Sequence, residues 1–267
     1  MVAFTHLDND HICKSSEFFY LEHAEKYQGE GRIKINELWV PAAAVIEEGC
    51  GDEDRIIRAE ARHRLREGKG IRVFSRPTKL KEWLEGEGLT VESRQHLITD
   101  AGQLIPSFTL AAHGVEFFVH SPFATRLNET EVIDRNVDSL AVQATFVVND
   151  VLTRVLLGAD LEYTAISEIV NVTRAKKRDE RLESDVTKLW HHCSYKAIGP
   201  EKGKEETEPV DEVKWIFEEK LPKNAIIVST SKPIVPNENA VWPRTIKFFG
   251  KHACAVSENS LRSSSEP

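Results

Sequence analysis

Thr5-His6-Leu7-Asp8-Asn9-Asp10-His11 puts four metal-ligating side chains, His6, Asp8, Asp10 and His11, within six residues. His6, Asp8 and Asp10 alternate, so a short extended stretch closing into a tight loop lets them converge, with His11 adjacent. Imidazole and carboxylate together form the ligand set of a zinc or manganese site, and no thiolate is needed. The plainer alternative is a hydrophilic loop in an acidic protein. Four such donors in six residues exceed what composition alone brings together. A polar, histidine-rich segment normally leaves the end of a strand, yet only the apolar run Met1-Val-Ala-Phe4 comes before this one.

Two more polar groups stand out downstream. Asp160 directly follows the apolar run Val151 to Leu157 and the small pair Gly158-Ala159, which let the backbone turn closely. A carboxylate at the mouth of a strand is placed for binding, and it is equally placed to cap a helix starting at Leu161. Trp190-His191-His192-Cys193-Ser194 carries an adjacent histidine pair after the apolar Val186 and Leu189. One ring can ligate a metal while the other supports the loop or contacts substrate. Cys193 reads as a small filler beside these harder ligands. Lys196 and Lys232 offer positive charge near the same loops or are ordinary surface lysines.

Around these groups the chain alternates helical and extended patterns. Ile12 to Lys26 reads as loop and helix. Ile33 to Ile46 reads as extended, with Leu38-Trp-Val40 as its centre and Pro41 as a stop. Asp52 to Gly68 has helical spacing through Ile56, Ile57, Ala61 and Leu65, which leaves Arg58, Arg62, Arg64 and Arg66 on a solvated face. Ile71 to Phe74 is a strand, and Leu80 to Leu84 a short helical turn. Gly114 to His120 is a strand stopped by Ser121-Pro122. Asp138 to Phe146 alternates and continues through Val148. Asn149-Asp150 is a tight turn, and Val151 to Leu157 is the return strand. Leu161 to Val172 is helical, and Asp185 to Trp190 is a short buried strand or turn. Val213 to Leu221 is a helix, Ala225 to Ser229 a strand. With no repeat and no clean linker, the expectation is one domain over 1–256 and a flexible tail over 257–267.

Composition bounds the answer. The chain has 267 residues and a net charge of -8, with 40% hydrophobic and 29% charged residues, which fits a globular fold and excludes a disordered or fibrous one. Its acidic balance argues against broad nonspecific coating of nucleic acid while leaving room for a local basic groove. The scattered Cys13, Cys50, Cys193 and Cys254 make neither a disulfide framework nor a zinc ribbon. With no secretion signal and no apolar run of the roughly 18 residues a spanning helix needs, the expected location is cytoplasmic, with no membrane segment.

Taken in order, the three clusters resemble the metallo-β-lactamase fold superfamily, whose first motif is His-x-His-x-Asp-His. Here Asp8 stands in place of the second histidine. That version is similar to the branch holding the hydrolase-like domain of the ComEC/Rec2 DNA-uptake protein. The branch's Ser-Leu-Val strand, Leu-Leu-Thr-Gly-Asp strand end and His-His-Gly-Ser loop have counterparts in Asp138-Ser-Leu-Ala-Val142, Leu156-Leu-Gly-Ala-Asp160 and His191-His-Cys-Ser194. The resemblance covers roughly residues 4 to 235. It implies an α/β fold, a four-layer αβ/βα sandwich with one or two metal ions between the inner edges of its sheets. His6 and Asp8 would belong to a first metal position, and Asp10 and His11 to a second. Asp160 would bridge the two. One of the histidine pair, taken as His191, would complete the second position.

The implied activity is metal-dependent hydrolysis through a metal-activated hydroxide, with zinc as the cofactor or manganese as its alternative. Asp10 would orient the attacking water, and His192 would contact the substrate. The substrate would be a phosphodiester of a nucleic acid or nucleotide. Three departures accompany the resemblance. Several strands usually come before the first motif, so this chain is expected to be truncated at its start, with an incomplete first sheet and a tendency to self-associate. The family's lone intervening histidine has no clear counterpart among His96, His113 and His120. Trp242, in Asn239-Ala-Val-Trp-Pro243, stands where a histidine is usual. The incomplete first sheet and Trp242 support the alternative of a non-catalytic interaction or scaffold protein with a degenerate metal site.

Overall fold

A computed structural model describes residues 1–129, 132–204 and 206–231, and the backbone of 255–258. Two compact units share the span read above as one domain: Met1–Ile105 with Phe118–Ala141, and Pro106–Phe117 with Val142 onward.

The first unit is built on a parallel sheet of β1 (Val2–Ala3), β4 (Leu38–Pro41), β5 (Ile71–Phe74) and β6 (Ile98–Thr99), in the order β1-β4-β5-β6. A separate pair, β2 (Phe19–Tyr20) and β3 (Ile33–Lys34), is also parallel. Strands β4 and β5 are buried at every position, as parallel strands covered on both faces require. The short β1 pairs Val2 with Leu38 and Ala3 with Trp39. The other strands of this sheet, β4, β5 and β6, come after the first motif in the chain.

Helices α1 (Asn9–Ile12) and α2 (Ser15–Phe18) follow β1. Helices α3 (Ala42–Ile46) and α4 (Glu53–Glu67) link β4 to β5, and α5 (Thr78–Gly86) and α6 (Val91–Arg94) link β5 to β6. The stretch read as extended to Ile46 turns helical at Ala42, because Pro41 sits at its N-cap with φ -65° and the alanines behind it favour a helix. Helix α4 buries Ile57, Ala61 and Leu65 in the same core as Leu38, Val73, Leu80 and Leu84. Gly68, at φ +74°, ends it by donating to the Arg64 carbonyl at 3.0 Å.

One arginine of α4 departs from the expected solvated face. Arg64 is 1% exposed. Seven residues after Ile57, it falls on the core side. Its Nε donates to Glu60 Oε1 at 2.6 Å and its Nη1 to the carbonyls of Ile35 and Gly70, both at 2.9 Å. Burial works to raise the Glu60 carboxyl. Hydrogen bonds from the His23 ring, the Glu22 and His23 N–H groups and Arg64 outweigh it and hold the pKa at about 2.

The second unit carries most of a six-stranded sheet in the order β12-β11-β10-β9-β8-β7. Its strands are β7 (Val115–Ser121), β8 (Ala141–Val148), β9 (Val151–Leu157), β10 (Val186–Lys188), β11 (Ile226–Ser229) and β12 (Ala255–Glu258). Strands β8 and β9 form an antiparallel hairpin closed by Asn149 and Asp150 at φ +50° and +63°, the left-handed pair that a tight two-residue turn needs. From β9 to β12 the strands are parallel. Helix α7 (Leu110–His113) leads into β7, and α8 (Ala124–Glu129) lies in the first unit. Helix α9 (Tyr163–Ala175) crosses from β9 to β10. Helix α10 (Asp211–Trp215) continues as a wider turn over Ile216–Lys220 before β11. Ser257 and Glu258, read as tail, pair with Val228 and Ser229. Lys232, the Asn239–Pro243 element and the tail beyond Glu258 lie outside the described residues. No helix among the described residues is long and apolar enough to cross a membrane.

Candidate metal centre

On the first unit the motif leaves the carboxyl end of β1. Phe4 N–H donates to the Trp39 carbonyl at 2.9 Å, and Leu140 N–H donates to Thr5 at 2.9 Å. Phe4, Leu7 and Ile12 are buried and anchor the loop, while Asp8 is half-buried and Asp10 exposed. His6 is 2% exposed. Its Nδ1 lies 3.1 Å from Thr5 Oγ1 and its Nε2 3.6 Å from Asp8 Oδ2. The His6 ring packs on His11 at 4.1 Å between centroids, and His11 Nε2 is 3.8 Å from Asp10 Oδ2.

Arg135 grips this loop from far along the chain. Its guanidinium donates to the Leu7 carbonyl at 2.9 Å, Asp8 Oδ1 at 3.2 Å and Asp54 Oδ2 at 2.7 Å. Nε adds a bond to Glu47 Oε1 at 2.8 Å. Burial disfavours its charge, but the bonds to Glu47 and Asp54 more than offset that and raise its pKa above the ordinary arginine value. Sequence reading had no signal for Arg135, which acts across 127 residues on Asp8.

On the second unit, Asp160 and the histidine pair leave the carboxyl ends of neighbouring parallel strands, since β9 pairs Leu157 with Lys188 of β10. Ligands to α/β sheets gather at this edge. Gly158 is fixed by sterics. A Cβ there would lie 1.6 Å from Trp190 Nε1, so only glycine lets the indole seat. His191 N–H donates to the Ala159 carbonyl at 3.1 Å, tying the two loops together.

Asp160 is 4% exposed. Its Oδ2 lies 3.0 Å from His192 Nε2, and its Oδ1 lies 3.5 Å from Lys188 Nζ. Lys188 also donates to the Ala159 carbonyl at 3.0 Å. His191 turns instead toward Glu162, with Nδ1 3.8 Å from Oε1. Burial lowers the His191 pKa against the opposing pull of Asp160 and Glu162, which keeps the ring neutral at pH 7. Asp160 thus meets His192 rather than His191.

His191, His192 and Cys193 all have positive φ, at +46°, +48° and +65°. Three consecutive non-glycine residues in this region store strain, a feature that clusters at functional sites. Cys193 is buried, and burial pushes its thiol to about 12, so it stays protonated at neutral pH. Lys196 pairs with Glu162 at 3.2 Å, and Ser194 accepts from the Lys196 N–H at 3.3 Å. Lys188 and Glu162 were not foreseen. The one cue was that Lys188 ends a short buried strand. Among the other histidines, His96 Nε2 contacts the Gly68 carbonyl at 3.2 Å, and His113 Nδ1 accepts from Thr109 N–H at 3.2 Å.

The first unit therefore brings Asp10 and His11 together, and the second brings Asp160 and His192 together, each a His/Asp pair of the donor types that coordinate a divalent ion. No family model, no curated protein and no solved structure matches this chain.

Proposed function

We propose that this protein is a metal-dependent hydrolase of the metallo-β-lactamase type, acting on a phosphodiester of a nucleic acid or nucleotide. The Asp160–His192 pair at 3.0 Å on the second unit, together with the Asp10 and His11 pair that the first unit offers, carries the reading. Two imidazoles and two carboxylates suit zinc, with manganese as the alternative, and the buried Cys193 thiol is not required. A divalent ion held there supplies Lewis acidity and brings the pKa of a water near 7 in the zinc case.

The chain's own residues supply the rest. Lys188 holds one oxygen of Asp160 and so fixes the direction of the other. His192 Nε2 lies 3.0 Å from Asp160 Oδ2, and metal ligands must be deprotonated to bind, so metal affinity should rise with pH. Asp10, the most exposed carboxylate of the motif, is placed to orient a water or accept its proton.

Elemental analysis of the full chain after exposure to zinc or manganese tests the metal, and hydrolysis of bis-p-nitrophenyl phosphate tests the chemistry. D160N and H192A should each lower the rate by about a hundredfold or more, and H113A should leave it near wild type. A chain that refuses both ions overturns the proposal. Ion binding without turnover of this or any nucleic-acid phosphodiester makes it a non-catalytic metal-binding protein.

A further inference from the structure

We infer that the outer face of α4 is a groove that binds the phosphate backbone of a nucleic-acid strand. The groove lies within the first unit and needs no metal ion, so the inference stands apart from the hydrolase reading.

Arg55, Arg58, Arg62 and Arg66 follow one another at steps of three, four and four residues. On a helix that spacing sets them in one row, about 16 Å long, with a rise of about 4.5–6 Å between neighbours. A groove of about 370 Å³ opens along this row, lined by the four arginines with His23 and His63. Ala59 also lines it and is too small to fill the space between them. None of the residues lining it is a carboxylate. In a chain of net charge -8, this is the local basic groove that an acidic balance leaves room for.

The arginines are held at their places by backbone carbonyls, which leave their charge intact. Arg62 Nε donates to the Val45 carbonyl at 2.7 Å, Arg55 Nε to that of Gly51 at 3.0 Å, and Arg58 Nη1 to that of Glu47. Arg62 and Arg66 also lie over the Trp83 ring, 5.6 and 5.5 Å from its centroid. Two glutamates pair with the row. Glu48 lies 3.1 Å from Arg62 and 3.7 Å from Arg58, and Glu87 takes Arg66 through two bonds at 2.7 Å. Four guanidiniums against two carboxylates leave a positive surplus. Glu48 is 81% exposed, and an ion pair so open to solvent holds weakly, so an incoming phosphate displaces it at little cost. Each guanidinium carries five donors, and these contacts engage only part of them.

The row decides the partner. An isolated phosphate meets one or two guanidiniums, whereas a strand repeats its charge and can meet them in turn. The planar fork of arginine suits phosphate oxygens. No asparagine, glutamine or aromatic ring able to read or stack on a base lines the groove. Contact is therefore to the backbone and independent of sequence.

Fluorescence anisotropy of the full chain with a labelled oligothymidylate tests this, with a chelator present so that no metal ion contributes. The logarithm of the association constant should fall linearly with that of salt between about 50 and 200 mM, with a slope of about -2 to -3, from three or four contacts of about 0.7 each. R55Q should reduce that slope by about 0.7, and R58Q/R62Q by about 1.4. K69Q removes the same charge from an exposed residue outside the groove and should leave the slope unchanged. Arg55 is exposed, so R55Q decides the matter even if loss of the Arg58 and Arg62 carbonyl bonds unfolds the double variant. Absence of binding at about 50 mM salt, or a slope that R55Q does not move, overturns the inference. Polyglutamate that displaces the label as well as an unlabelled strand does also overturns it, because the groove would then fit an acidic peptide. The metal reading stands or falls separately, on elemental analysis.

Discussion

Gly158 and Cys193 bracket the candidate site residue by residue, and each makes a prediction. Trp190 lies where the side chain of any other residue at position 158 would go. G158A must therefore displace a buried indole, or the strand end beneath it. Overpacking of this kind costs about 1–3 kcal/mol, measurable by urea denaturation. Since Asp160 and His191 flank that contact, G158A should weaken zinc as well, although it adds and removes no ligand. Unchanged stability and affinity would show that the loops are not held by this packing. Cys193 allows a simpler check. Its thiol is buried and raised to about 12, whereas Cys13 is exposed. Iodoacetamide at pH 7.5, followed by peptide mass mapping, should modify Cys13 and spare Cys193. Rapid labelling of Cys193 would reopen its reading as a nucleophile.

Helix α4 shows how far an element can be read from its pattern. Ile57, Ala61 and Leu65 announce its core face, and all three are buried. The same spacing puts Arg64 on that face, yet an arginine is assigned to solvent by habit. What reverses the assignment is Glu60, four residues earlier, with Glu22 and His23 brought in by the chain's fold. A local pattern cannot reveal such partners. Glu60 has its pKa held at about 2 against an ordinary 4.5. A depressed carboxyl contributes stability that is fully present above 4.5 and is lost as pH falls toward 2, a contribution of about 3 kcal/mol. E60Q should cost about that much at pH 7, and the gap between wild type and E60Q in urea unfolding should narrow as pH falls below 4.5. A gap of constant size down to pH 3 would show that the charge of Glu60 is not what matters.

For the whole molecule, legibility followed sequence distance. The hairpin at Asn149-Asp150 and the strand end before Asp160 are local and could be read directly. The first sheet was not legible. Of its described strands only β1, two residues long, precedes Thr5, while β4, β5 and β6 follow the motif. Parallel pairing leaves no turn signal to read, and the partners lie dozens of residues apart. Arg135 was invisible for the same reason. The metal reading has a test that no single variant offers. If Asp10 and Asp160 serve the same ion, removing either already disables it, and the double variant has little more to lose. Zinc affinities of wild type, D10N, D160N and D10N/D160N form a cycle whose effects should fall well short of additive, as coupled residues do. Fully additive losses would mean that the two carboxylates act independently, and each unit would then need its own account of its acidic and imidazole side chains.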